Sequence, residues 1–122
     1  MKTSRPAYVT AVVSNYVRLP GTPLCAGRRD RRFAALLYDR RVPLRVVYAA
    51  FVLAAARREL RAQDLSPPPA IRTLHFFEGA IDEVLNTPPD RGYIQYLAAR
   101  LGPLVARKAA TPSTTPPIPR AF

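Results

Sequence analysis

Residues 43–61 read PLRVVYAAFVLAAARRELR, and this stretch decides the fold. At 100° per residue, its apolar side chains fall on two opposite faces of a helix. One face carries Leu44, Val47, Tyr48, Phe51 and Ala55, and the other carries Val46, Ala49, Leu53 and Leu60. A helix that is apolar all round needs protein on nearly every side. The pattern therefore predicts a buried central helix whose ends alone reach solvent.

Four further helices are predicted around it from apolar periodicity and from capping residues such as Ser4, Thr73 and Asp90. We expect them at 6–18, 28–40, 73–86 and 91–101 or slightly beyond. The fold class is thus an all-α, compact bundle of about five helices around the buried central one. This helical domain is expected to span 1–108. A proline spacer at 67–69 should be stiff, and the Pro/Thr-rich tail at 109–122 extended or disordered.

Several features argue against export or a membrane. The uncharged run from Val46 to Ala56 is far shorter than the roughly 20 residues that cross a bilayer. The N-terminal segment lacks the continuous apolar stretch of a signal peptide. The single cysteine, Cys25, cannot form an intramolecular disulfide. We therefore expect a cytoplasmic protein with no membrane partner.

The charge balance is strongly basic. The chain has 19 Lys+Arg against 8 Asp+Glu, a net charge of +11, and 17 of the basic residues are arginine. Guanidinium groups bind phosphate through two parallel hydrogen bonds, and a positive field speeds association with polyanions. Nucleic acid is the partner that this composition favours. An acidic protein partner and charge that serves only solubility are the alternatives.

Arginines cluster in three places, at 28–32, 40–45 and 57–61, and these clusters supply the candidate nucleic-acid-binding residues. The first cluster opens the second predicted helix, where the helix dipole disfavours cations, and this local cost favours a role in binding phosphate. The candidates are Arg28, Arg29, Arg31, Arg32, Arg40, Arg41, Arg45, Arg57, Arg58 and Arg61.

Catalytic residues are not evident, and we predict no enzyme activity, no metal and no cofactor. Cys25 is interpreted as a small filler beneath its loop. The residues His75, Glu78 and Asp82 share one flank of the fourth helix, which permits a metal or acid–base interpretation. Pairing of the acids on this helix with arginines from the second or third helix is the simpler expectation. Phe76 is expected to be buried, with stacking on a base as the alternative.

The connection at 40–43 has the spacing of a helix-turn-helix, although Arg41 stands where glycine is usual and Leu37 where a small residue is usual. A following helix that is apolar on both faces is a poor reader of the major groove. We therefore expect contact with the phosphate backbone and little reading of sequence.

Three segments carry a resemblance to a known family. They are Asp30-Arg31-Arg32-Phe33, Arg41-Val42-Pro43-Leu44 with Val47, and Ile71-Arg72-Thr73-Leu74-His75-Phe76-Phe77-Glu78. Over roughly Ala7 to Asn86 the chain resembles the small helical domains of bacterial replication-initiation and primosome proteins of the DnaD and DnaT type. It is also similar to small helical proteins of plasmids, phages and other mobile elements. The resemblance implies DNA binding coupled to protein assembly.

Three functions remain open on these grounds. The first is a non-enzymatic nucleic-acid-binding accessory protein, in bacterial or mobile-element DNA replication, with a protein partner or self-association. The second is a helical small subunit of a larger nucleoprotein complex, such as an RNA-guided effector. The third is a protein adaptor or inhibitor that binds an acidic protein.

Overall fold

Five α-helices follow one another in the computed structural model, which describes residues 3–61 and 69–110. They are α1 (Arg5–Tyr16), α2 (Arg28–Asp39), α3 (Leu44–Arg61), α4 (Glu78–Asn86) and α5 (Arg91–Ala110), with a 3-10 turn (Leu74–Phe77) leading into α4. The described residues contain no strand, so the all-α prediction is confirmed. None of the helices in these ranges has both the length and the apolar character needed to cross a bilayer.

Helix α1 begins and packs much as its sequence predicts. The Ser4 hydroxyl caps it by accepting the Ala7 N–H at 3.2 Å, and Pro6 occupies the first turn. The helix lies against α2, where the Tyr8 ring meets Tyr38 edge-to-face at 5.3 Å. The Tyr8 hydroxyl also donates to the Val42 carbonyl at 2.7 Å, so α1 holds the α2–α3 turn.

Helix α3 is the central element. Val47, Ala50 and Phe51 are almost completely buried, and the Phe51 ring meets Phe77 edge-to-face at 4.9 Å. The expectation that only the helix ends reach solvent is wrong, however. Seven apolar residues of α3 stay only half-buried because the other helices cover it incompletely. Besides Leu44 and Leu60 near its ends, they are Val46, Tyr48, Ala49, Val52 and Ala54.

The turn between α2 and α3 is closed by a Schellman motif. The Arg41 N–H bonds the Tyr38 carbonyl at 2.9 Å, and the Val42 N–H bonds the Leu37 carbonyl at 3.1 Å. Arg41 itself adopts a φ of 62°, the left-handed conformation in which glycine is usual. For a residue with a side chain, this conformation costs about 1–2 kcal/mol. The turn is therefore as tight as the sequence predicts, although its left-handed residue is an arginine.

The segment predicted as one helix from Thr73 to Asn86 is divided in two. A 3-10 turn brings Leu74 and Phe77 into the core before α4 starts at Glu78. Thr73 precedes this turn without making a side-chain capping bond. Phe76 is 51% exposed, so the expectation of its burial is wrong. The 3-10 geometry turns Phe76 outward because successive residues there point about 120° apart.

Helix α5 runs nine residues beyond the predicted end at Leu101, through Pro103 to Ala110. A proline inside a helix removes one backbone hydrogen bond, which weakens the helix locally. The extension is held by tertiary contacts: Leu104 packs against the core, and the Lys108 ammonium lies 2.6–3.4 Å from five oxygen atoms of residues 17–23. Burial lowers the pKa of Lys108, while the surrounding oxygens favour its charged form.

Three further expectations concern Cys25, the C-terminal tail and the proline spacer. Cys25 is exposed, so its interpretation as a buried filler is wrong. Ala109 and Ala110, assigned to the tail, belong to α5. The remainder of the predicted tail, 111–122, and the spacer residues Pro67 and Pro68 lie outside the described residues.

Candidate nucleic-acid interface

The start of α2 presents four exposed arginines. The helix turns Phe33, Ala34 and Leu37 toward the core, which leaves the remaining positions of its first two turns facing solvent. None of the four arginines forms an ion pair within the described residues. We call them the α2 cluster: Arg28, Arg29, Arg31 and Arg32.

The acid within this cluster points inward. Asp30 is 5% exposed, and its two carboxylate oxygens accept the Gly27 N–H at 3.0 Å and the Leu74 N–H at 2.8 Å. One residue thus caps the start of α2 and ties it to the 3-10 turn. A carboxylate near the helix N-terminus also offsets the cost of placing cations there. Asp30 therefore positions the arginines without forming a surface ion pair with them.

A cleft of about 400 Å³ opens beside the α2 cluster. Arg29 and Arg32 line it together with Leu36, Thr73 and His75. The imidazole of His75 stacks on Phe33, with 4.3 Å between the ring centroids, and is exposed. Two guanidinium groups over a partly apolar floor can bind a phosphate and the sugar or base attached to it.

Two arginines of the second and third sequence clusters form ion pairs with α4. Arg57 donates twice to the Glu83 carboxylate, at 2.6 and 2.7 Å, and Arg40 donates to Asp82 at 3.3 Å. The hydrogen bonds from Arg57 lower the pKa of the Glu83 carboxyl. The predicted pairing of the α4 acids with arginines is confirmed for Asp82 and Glu83, and Glu78 forms no ion pair among the described residues. These two guanidinium groups are therefore already hydrogen-bonded to acids of their own chain.

Arg58 is held inside the fold. Its side chain is only 9% exposed, pairs with Glu59 and donates to the Pro69 carbonyl. The guanidinium also lies against Gly21, which has a φ of 84° and leaves no room there for a side chain. Arg58 thus joins α3 to two loops. Arg61 ends α3, and its side chain lies outside the described part of the structure.

Arg41 in the α2–α3 turn and Arg45 in the first turn of α3 are exposed. The 12 residues of α2 rise about 18 Å at 1.5 Å per residue, so this turn lies at the opposite end of α2 from Arg28 and Arg29. The three sequence clusters therefore do not merge into one patch. The fold keeps the α2 cluster together, places Arg41 and Arg45 apart from it, and pairs Arg40, Arg57 and Arg58.

Two positioning residues are not among the predicted site residues. Asp30 has a local signal, because it stands three residues after Gly27, the spacing of a capping box. Lys108 carries no comparable local signal, because its oxygen partners lie 85 to 91 residues earlier in the chain.

The flank of α4 that suggested a metal site offers no such cluster. Within residues 3–61 and 69–110, no group of three or more His, Cys, Asp or Glu residues is arranged to hold a metal ion. Asp82 is engaged by Arg40, and His75 by Phe33.

Comparison of this chain with protein-family models, curated proteins and solved structures found no match in any of the three.

Proposed function

We propose that this protein is a non-enzymatic nucleic-acid-binding accessory protein that contacts the phosphate backbone through the α2 cluster. Its resemblance to replication-initiation domains suggests DNA replication in bacteria or mobile elements as the setting. The observation that carries the proposal is the arrangement around Asp30. Four guanidinium groups face solvent, while the one acid among them is buried and bonded to backbone N–H groups.

Backbone contact is favoured over reading of bases in the major groove. The α2 cluster lies on the first two turns of α2, and α3 is largely buried in the bundle. Arginines on a surface helix reach phosphate oxygens, and such contacts carry no sequence information directly. Affinity should consequently depend on salt more than on sequence.

Binding to single- and double-stranded DNA and RNA is measured over a range of salt concentrations, with the mass of each complex determined in parallel. The key variant is Arg28→Gln/Arg32→Gln. On duplex DNA, the slope of log affinity against log salt should fall in magnitude by about 0.9 for each phosphate contact removed, or about 1.8 for both.

The matched control is Arg40→Gln/Arg57→Gln, which removes the same formal charge from arginines paired with α4. It should reduce affinity and the salt slope much less than the α2-cluster variant. Equal losses in the two variants would show that net charge alone drives binding. Binding that hardly weakens with salt would exclude the proposal. A complex containing one protein molecule would count against the nucleoprotein-subunit alternative.

A further inference from the structure

A second surface, separate from the α2 cluster, lies where α3 is incompletely covered. A groove of about 470 Å³ runs between α3 and the start of α5. This volume is within the roughly 300–1,000 Å³ typical of ligand sites. Half-buried aliphatic side chains of both helices line it, including Val46, Ala49, Val52 and Ile94.

Two cations stand at this groove. Arg45 lies in the first turn of α3, and Arg91 is the first residue of α5. Both are exposed, and neither forms an ion pair within the described ranges. The positive ends of the two helix dipoles add to the field of these side chains. The groove thus combines an apolar lining with positive charge at its edge.

The chemistry of the groove selects among possible occupants. Phosphodiester backbone would leave the aliphatic lining without apolar contacts, whereas a peptide with apolar and acidic side chains would satisfy both features. The segment 111–122 of this chain contains Arg120 and no acid, so its charge does not complement Arg45 and Arg91.

A second copy of this chain also fits poorly, because nearly all its acids are already engaged. Glu78 is exposed without a described partner, and Asp64 lies outside the described residues. Asp30 is buried, and Asp90 accepts the Tyr93 N–H. The other four acids form ion pairs with arginines: Asp39, Glu59, Asp82 and Glu83.

We propose that this groove docks an apolar, acidic segment of another protein. The protein would then join two partners, with nucleic acid on the α2 cluster and an acidic protein segment on the α3–α5 groove. The groove proposal stands on its own observations and does not depend on nucleic-acid binding.

The test uses two labelled amphipathic helical peptides with the same leucine stripe, one flanked by Glu and the other by Lys. Fluorescence anisotropy at low salt should show that the full-length protein binds the Glu peptide about tenfold or more tightly than the Lys peptide. The variant Arg45→Glu/Arg91→Glu should reverse this preference, because the altered groove then attracts Lys.

The matched control, Arg28→Glu/Arg29→Glu, changes the net charge equally but away from the groove. It should keep the preference for the Glu peptide while weakening nucleic-acid binding. Circular dichroism melts check that both variants fold, which is expected because all four arginines are exposed.

Several outcomes would overturn the proposal. One is equal binding of the two peptides, and another is an equal change of preference in both double variants. If Arg45→Glu/Arg91→Glu weakens nucleic-acid binding as much as the control does, the groove belongs to the nucleic-acid surface. If the protein forms dimers that the groove variant disrupts, a second copy is the occupant.

Discussion

The arginines of the α2 cluster and those facing α4 are alike in sequence and different in the fold. Arg28 and Arg32 face solvent without an acidic partner in the described structure, whereas Arg40 and Arg57 are paired with Asp82 and Glu83. The difference arises from where the acids lie. Helix α4 places Asp82 and Glu83 beside Arg40 and Arg57, and the one acid inside the α2 cluster turns into the core. A run of arginines in the sequence therefore forms a basic surface only where no acidic side chain of another helix packs against it.

The largest effect should follow from removing the residue that holds the α2 cluster in place. Asp30→Ala deprives two backbone N–H groups of their acceptor, and one of them, that of Leu74, is buried. We expect a loss of about 2–3 kcal/mol in the free energy of unfolding. Urea denaturation measures it.

The control for this variant is Asp39→Ala, which removes an acid from an exposed pair with Arg5. It should cost much less than Asp30→Ala, because solvent screens an exposed ion pair. If the two variants were equally stable, Asp30 would not be the anchor of α2.

The second prediction separates buried from exposed arginines within α3. Arg58→Met leaves Glu59 without its partner and removes the guanidinium that lies against Gly21, so it should cost about 2 kcal/mol. Arg57→Met removes an exposed pair and should cost less than about 1 kcal/mol. Thermal melts of the two variants test this directly. A larger loss for Arg57→Met would contradict the structural role assigned to Arg58.

The smallest effect is expected at Tyr16 in the core, and here the free energy of unfolding should rise and not fall. The Tyr16 hydroxyl is buried and finds no hydrogen-bond partner among the described residues. Tyr16→Phe removes this unsatisfied group and should stabilise the protein by about 1 kcal/mol at pH 8. A clear loss of stability in urea denaturation would mean that the hydroxyl has a partner.

The same residue makes stability depend on alkaline pH. Burial, together with nearby Asp30, raises the pKa of Tyr16 to about 12, and burial likewise raises the pKa of Tyr8 to about 12. Unfolded tyrosine ionises near pH 10, so the folded state favours the neutral hydroxyl. This contribution is complete below about pH 10 and is lost as the pH rises toward about 12. Tyr16→Phe should therefore lose less stability than the wild type between these pH values.

Much of the fold follows from local sequence signals. The ends of α1, α2 and α3 lie within two residues of the predicted positions, because local signals such as the Ser4 cap of α1 and Pro43 before α3 act through nearby backbone. The extension of α5 could not be predicted in the same way. Gly102-Pro103 is locally typical of a helix end, whereas the extension makes contacts with distant residues, through Leu104 with the core and through Lys108 with residues 17–23.

The sequence predicts which residues are candidates for the site, but not how the fold arranges them. The sequence identifies every arginine, but the assignment of Arg57 to a surface pair and Arg58 to the interior depends on how α3 packs. The half-exposed groove was missed because periodicity shows which side chains of α3 are apolar and not whether another helix covers them.

Lys108 also bears on the order in which the chain folds. Its contacts with Val17 and Pro23 close loops of 91 and 85 residues, whereas α1 and α2 are close neighbours in sequence. Long-range closure is slow compared with local helix pairing. During synthesis, the carbonyl groups at 17–23 leave the ribosome long before Lys108 is made. Helices α1 and α2 can therefore pair early, whereas the contacts of the Lys108 ammonium with residues 17–23 must form late.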